Sequence, residues 1–232
     1  MATVCVPLAR GRRARLTRLD ACGEPVPGPT GTLVTNGLIS VGVAPNYLDP
    51  EEITVPNANG DLCIDDQGRP QLRWMDLTIL MCQVNPDAFN IITGNPLVVD
   101  DAVAPNNVGF RIDADQTGTA NFALELWSGV TGQACTVDGN VQYGYWLFPF
   151  VVQARVGEWT WENAGLTMTL TARTSPGSTW GTGPSGYLVR RDAVSLAPEV
   201  LLTAIDADTH VHYETVTVAP PAAACAATAL AA

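Results

Sequence analysis

QLRWMDLTILMCQVNPDAFNIITG, residues 71–94, is the stretch in which a strand signal and a helix signal abut. Trp74, Asp76, Thr78, Leu80 and Cys82 alternate with Met75, Leu77, Ile79, Met81 and Gln83. One face is therefore almost wholly apolar and the other mixed, which predicts a long, mostly buried strand. Asn85 can then accept a hydrogen bond as helix N-cap, Pro86 suits the first helical position, and Asp87 favours the positive helix end. Gly94 supplies a left-handed stop, so the spacing predicts a helix of roughly two turns.

Outside that helix the chain reads as strands separated by turns. Residues 38–43 alternate, residues 44–50 turn and residues 51–55 return, predicting a hairpin. Pro56 to Pro70, PNANGDLCIDDQGRP, predicts a long exposed loop or a two-stranded flap. Phe122, Leu124 and Leu126 face one way and Ala123, Glu125 and Trp127 the other. Tyr143 to Val152 is an aromatic strand, and Pro149 within it implies a bulge or an edge. Arg155 to Arg173 is the clearest hairpin: Trp159 and Trp161 share one face, and Leu166, Met168, Leu170 and Ala172 alternate with Thr167, Thr169, Thr171 and Arg173. Tyr187 to Arg191, Val200 to Ile205 and His210 to Val218 read as short strands, the last two paired. Trp180 is expected to dock from its loop. The end, APPAAACAATALAA, is low-complexity, with too little side chain to build a core of its own. The class is all-β.

The 232 residues are 47% hydrophobic, enough for a real core, and carry a net charge of −11. The 12 basic residues are all arginine, and Arg10, Arg12, Arg13, Arg15 and Arg18 lie in an N-terminal stretch without a single acid. The acidic remainder argues against tight duplex binding, which needs cations to displace counterions. The basic arm is expected to pair with the acidic body of its own or a neighbouring subunit. No signal-peptide pattern opens the chain and no run approaches a membrane span, which predicts a soluble protein made in the cytoplasm. Cys5, Cys22, Cys63, Cys82, Cys135 and Cys225 lack the C-x-x-C spacing of a zinc site, and reduced, buried thiols are expected.

Candidate chemistry is thin. His210, His212 and Glu214 alternate on one strand face and could ligate a metal, although an exposed polar strand face accounts for the same residues. Asp113, Asp115, Thr117 and Gly118 imitate the start of a calcium loop, but Leu124 stands where the closing glutamate belongs. No nucleophile elbow or phosphate loop occurs. No metal, no cofactor and no catalytic site is expected.

Several separated segments in order carry a resemblance: CVPLARGRRARLTRLDACG (5–23), EEITVPNANGDLCIDD (51–66), the strand and helix of 71–94, FALELWSGVTG (122–132) and YGYWLFPFVV (143–152). They resemble the major tail protein, the tail-tube subunit, of long-tailed phages infecting actinobacteria, over roughly residues 4–171. The resemblance implies a mainly β fold, a β-sandwich or barrel of the tail-tube type with one short flanking α-helix and long loops. It would occupy residues 1–218, with a basic arm over 1–19 and an Ala/Pro-rich tail over 219–232. It further implies hexameric rings stacked into a virion tube that conducts viral DNA without specific binding, with a tape measure protein and the tail terminator and distal tail proteins as partners.

Rings of subunits at −11 each would be strongly anionic and would let DNA slide. Glu125, Glu158, Glu162, Thr167, Thr169 and Thr171 are the expected lumen-facing residues. Arg10, Arg12, Arg13, Arg15, Arg18, Asn57, Asn59 and Asp61 are the expected contacts between subunits or rings. The alternative is a carbohydrate- or partner-binding β-sandwich in which Trp127, Trp159, Trp161 and Trp180 are exposed platforms.

Overall fold

The computed structural model describes residues 7–114, 120–131, 139–162 and 165–231, with the backbone alone of Glu162. In chain order the strands are β1 (Leu8–Leu19), β2 (Gly28–Thr35), β3 (Leu38–Leu48), β4 (Glu52–Pro56), β5 (Leu62–Gln67) and β6 (Gln71–Met81). After helix α1 (Pro86–Thr93) come β7 (Leu97–Val99), β8 (Asn107–Phe110), β9 (Asn121–Val130), β10 (Tyr143–Glu162) and β11 (Gly165–Thr174). The short strands β12 (Arg190–Arg191), β13 (Pro198–Glu199), β14 (His212–Val216) and β15 (Thr228–Leu230) complete the chain. The protein is mainly β, with one large antiparallel sheet ordered β15-β2-β1-β9-β10-β11-β6-β3 and β14 added to β10.

The 71–94 stretch folds as its pattern dictates. Leu77, Ile79 and Met81 of β6 are buried, while Asp76 and Thr78 on the other face are exposed. Asn85 Oδ1 accepts from the backbone N–H groups of Asp87 and Ala88 at 3.0 and 3.1 Å, and Gly94 closes α1 at φ 78° with its N–H on Asn90 O. That φ is in the left-handed region, where a side chain would be strained. Phe89, Ile91 and Ile92 of α1 fill the concave side of the curled sheet, against Leu16, Leu33, Leu124, Val151 and Leu170. Phe89 stacks on Phe110 at 3.8 Å between centroids, and Phe110 meets Trp159 edge-on at 6.0 Å.

The 20-residue β10 joins two environments. Its N-terminal half pairs with β9 on one side and β14 on the other, and its C-terminal half pairs with β11. The ladder with β9 slips between Phe148 and Val151, at Pro149, which is the bulge the proline predicts. Around the N-terminal half both sheet faces are covered. Residues from Trp180 to Leu230 wrap the outer face, burying Trp180, Tyr187, Leu201, Ile205 and Val216 against Ala123, Trp127, Tyr145 and Leu147. Around the C-terminal half only a single face is covered and the other stays open.

Four local expectations are corrected. Residues 38–43 do not pair with 51–55: β3 runs on to Leu48 against β6, and β4 pairs with β5. Pro45 is tolerated because β3 is an edge strand, where a missing donor costs no ladder bond. The strand around His212 pairs with β10, not with residues 200–205, because β10 before Val151 has an edge that β11 does not reach. The alanine-rich end is no separate tail: Thr228 and Leu230 pair with Thr32 and Gly28 of β2, Ala224 N–H donates to Val34 O, and Ala227 N–H donates to Asp87. Lastly, Cys22, Cys63, Cys82 and Cys225 are free, but exposed and not buried; Cys5 and Cys135 lie outside the described residues.

Asn85 both caps α1 and donates from Nδ2 to Cys225 O at 2.9 Å, tying helix to tail. Asn85→Ala loses both roles and is expected to cost about 1–2 kcal/mol in urea denaturation. Asn85→Asp, which keeps the cap, should fall between wild type and alanine.

Candidate assembly surfaces

Three surfaces bear on function: the buried side of β1 and β9, the open face of the β10-β11-β6-β3 half, and the arm formed by β4 and β5.

Arg15 and Glu125 are register partners on β1 and β9, buried beneath the C-terminal wrap. The guanidinium meets both carboxylate oxygens at 2.5 Å, and Tyr145 donates its hydroxyl to Glu125 Oε1 at 2.7 Å. The Tyr187 ring covers the guanidinium at 3.4 Å to its centroid, with Trp127 at 5.2 Å. Burial opposes the charge on Arg15, but the adjacent Glu125 carboxylate more than offsets it, and the net pKa is raised. Burial, and then the charge of Glu125, push the Tyr145 phenol well up. This arrangement corrects two expectations. Glu125 is 1% exposed and cannot line a channel, and Arg15 is engaged within its own chain and is no contact between subunits.

The other arginines of the arm divide. Arg18 donates to Asn90 Oδ1 of α1 at 2.6 Å, and its pKa is lowered by burial against the charge of Asp87. It too is an internal tie. Arg10 and Arg12 are exposed, and Arg13 Nε is buried with no partner. The basic arm is therefore mostly a central strand, and at its start Arg10 and Arg12 face outward with Arg13 half-buried beside them.

On the open half, Thr167, Thr169 and Thr171 of β11 lie on one face with Thr160, Leu80, Thr78 and Ser40 at the register positions beside them. Thr171 is exposed, Thr167 and Thr169 are half-buried, Glu158 is exposed, and the Glu162 side chain lies outside the described residues. Glu158 and the three threonines thus remain as candidates, on an open surface of hydroxyl and small side chains. It is not the acidic surface the net charge suggested: Arg155 stands opposite Thr171 and Arg173 opposite Asp76. Arg173 and Arg73 flank the Trp74 ring at 4.8 and 4.3 Å, and Trp74 Nε1 donates to Asp76.

The β4–β5 arm is a two-stranded flap, as one of the two readings of residues 56–70 had it, but its first strand is Glu52–Pro56, ahead of that stretch. Every residue from Tyr47 to Gln71 is exposed. Asn57 Oδ1 accepts from the N–H groups of Asn59 and Asp61, so Asn57 holds the turn itself while Asn59 and Asp61 stand at its tip. Ile53, Val55 and Ile64 fall on one face with Leu62, and these four are 43–63% exposed.

The metal and platform readings find less. His210 Nδ1 faces Thr174 Oγ1 at 2.8 Å, while His212 and Glu214 sit 3.6 Å apart, so the three do not converge. Among the described residues no three His, Cys, Asp or Glu are grouped to hold a metal. Asp115, Thr117 and Gly118 lie outside them. Trp127 and Trp180 are buried in the core, Trp159 is half-buried, and only Trp161 of the four proposed platforms is open, at 73%. No described helix is long and apolar enough to cross a membrane. No protein-family model matches the chain, and no curated protein is significantly similar to it.

Removing one member of the Arg15–Glu125 pair strands a buried charge. Arg15→Met is expected to cost about 3–5 kcal/mol, and Arg15→Met with Glu125→Met to recover most of that, as read by a double-mutant cycle in denaturant. A pH effect follows from His210. Thr174 Oγ1 accepts from Met75 N–H at 2.8 Å and lies 2.8 Å from His210 Nδ1, which packs the imidazole against β11. Burial lowers the His210 pKa from 6.5, against the charge of Asp208. A lowered folded value gives stability that is present above the ordinary pKa and lost as pH falls through the folded one. Wild type should lose stability relative to His210→Gln as pH falls below the ordinary histidine pKa of 6.5.

Proposed function

We propose that this chain is a structural subunit that assembles with copies of itself into hexameric rings, stacked as the tail tube of a long-tailed phage. The observation that carries the reading is the division of one sheet into a half covered on both faces and a half whose second face stays open, polar and continuous across four strands. A solvated polar face is common in antiparallel sheets, but a monomer has no need of an uncovered arm with an apolar side beside it. A ring has use for both: the open face lines the channel, and the arm reaches a neighbour.

The chemistry of the open face suits a conduit for duplex DNA. Threonine and serine hydroxyls, with glycine and alanine at Gly42 and Ala44 on the edge strand, offer little for phosphates to grip. Arg173 and Arg73 are held against Trp74 and Asp76, which leaves Arg155, exposed opposite Thr171, as a cation on this face. In this reading Glu158, Thr167, Thr169 and Thr171 face the lumen, Arg10, Arg12, Arg13, Asn59 and Asp61 lie at contacts between subunits, and the role is structural and not catalytic. A tape measure protein inside the tube and terminator and distal proteins at its ends are the partners it entails, and the virion tail its place.

Negative-stain electron microscopy and sedimentation of the purified protein over a concentration series test the proposal. Six-fold rings or hollow tubes that grow with concentration are expected. A monomer at every concentration, with or without preformed tube ends as seeds, overturns it.

A further inference from the structure

The chain carries both halves of a head-to-tail contact. One is the apolar face of the β4–β5 arm, Ile53, Val55, Leu62 and Ile64. An isolated two-stranded hairpin is marginal in water, and a bare hairpin with an apolar side is an invitation to a partner. The other is a groove of about 430 Å³ where the curled sheet stays open between its edge strand β3 and the strands β9 and β10. Its walls are Val41, Val43, Met75, Leu126, Trp146 and Phe148, so it is almost entirely apolar.

Charge orients the fit. Val41, Leu126 and Trp146 also line an adjoining hollow that ends at Arg12 and Arg13, and the Arg13 Nε is buried without a partner. The arm is acidic: between Asp49 and Arg69 it holds Asp49, Glu51, Glu52, Asp61, Asp65 and Asp66 against one arginine. An acidic, apolar-faced hairpin therefore matches an apolar groove with a basic end. The arm cannot reach the groove of its own chain, because β3 and β6 stay paired out to Leu48 and Gln71 and carry it away as a continuation of the sheet.

We propose that the β4–β5 arm of one copy seats its apolar face in the β3–β9–β10 groove of a second copy, with Asp66, which shares that face opposite Ile53, toward Arg12 and Arg13. The inference rests on the self-assembly reading and specifies which surfaces meet. Because arm and groove are different surfaces, the contact is heterologous, and repeating it propagates into a ring or a stack instead of stopping at a dimer.

Two experiments test it together. In a background with all six cysteines changed to serine, Leu62→Cys and Val43→Cys are made as separate proteins. Mixed at about 10 μM under mild oxidation, they should form the mixed disulfide roughly 100-fold faster than either forms its own, given an effective concentration of ~1 mM at a docked site. Separately, Ile53→Asp with Ile64→Asp, at positions already open to solvent, should leave the melting curve of the monomer unchanged and abolish assembly. Wild-type tubes together with normal tubes from the aspartate variant, or with no mixed disulfide, overturn the docking while leaving self-assembly standing. A mixed disulfide without wild-type rings or tubes supports the docking and overturns the tube. If neither cross-link nor assembly occurs, both fall.

Discussion

A strand of 20 residues cannot keep one environment along its whole length, and the structure depends on how β10 resolves this. At Pro149 the ladder to β9 slips, and the strand changes partners from β9 and β14 to β11. Before the break both faces of the sheet are covered except at the groove beside Leu126 and Trp146, and after it only one is. Up to the break Tyr145, Phe148 and Phe150 are buried and Tyr143 and Trp146 half-buried, whereas Glu158, Thr160 and Trp161 beyond it meet solvent to differing degrees. One proline thus separates core from working surface.

The doubly covered half sets its own condition. Arg15 and Glu125 sit opposite each other on the two central strands of a region sealed on both sides, so neither can be solvated and each requires the other. Tyr145 and Tyr187 complete the shell, one by a hydrogen bond and one by its ring. The Tyr187 hydroxyl in turn meets Thr17 at 2.8 Å, so the wrap is held to β1 by polar geometry as well as by apolar burial. A buried pair of this kind fixes register: sliding β1 by one residue along β9 would strand both charges.

What was legible in the sequence is what local chemistry decides. The β6 alternation and the Asn85, Pro86 and Gly94 signals each lie within a few residues of what they control, and they hold in the structure. The Thr160–Thr167 and Trp161–Leu166 pairs likewise join residues close together in the chain. What was not legible depends on distant chain. Glu125 reads as the polar side of an amphipathic strand because the residues that bury it begin at Trp180. The tail carries almost no side-chain signal, yet Thr228 to Leu230 join β2 through the backbone, and a Cβ at Gly31 would stand 2.6 Å from that of Leu230. The four aromatics Trp127, Tyr145, Trp180 and Tyr187 were the available hint that a second core existed, since so many large rings exceed what one sheet face can cover.

The residues left outside both cores are not a random remainder. Apolar side chains at Ile53, Val55, Leu62 and Ile64 would cost little to replace by polar ones in a monomer, since they bury little there. Their alternation with Thr54, Cys63 and Asp65 gives the arm one polar side and one that is apolar but for Asp66 opposite Ile53, the pattern of a strand pair that lies on something. The groove beside β3 has the complementary defect, a wall of Val41, Val43 and Phe148 with no side chain of its own to fill it. An edge strand left open along an apolar groove is ordinarily blunted by charge or covered by a loop. Here Pro45 removes one donor, and Val211, just before β14, lines the groove without closing it, so the edge remains available to another chain. The same sheet therefore shows, in one protomer, a surplus and a deficit of apolar surface that cancel only between copies.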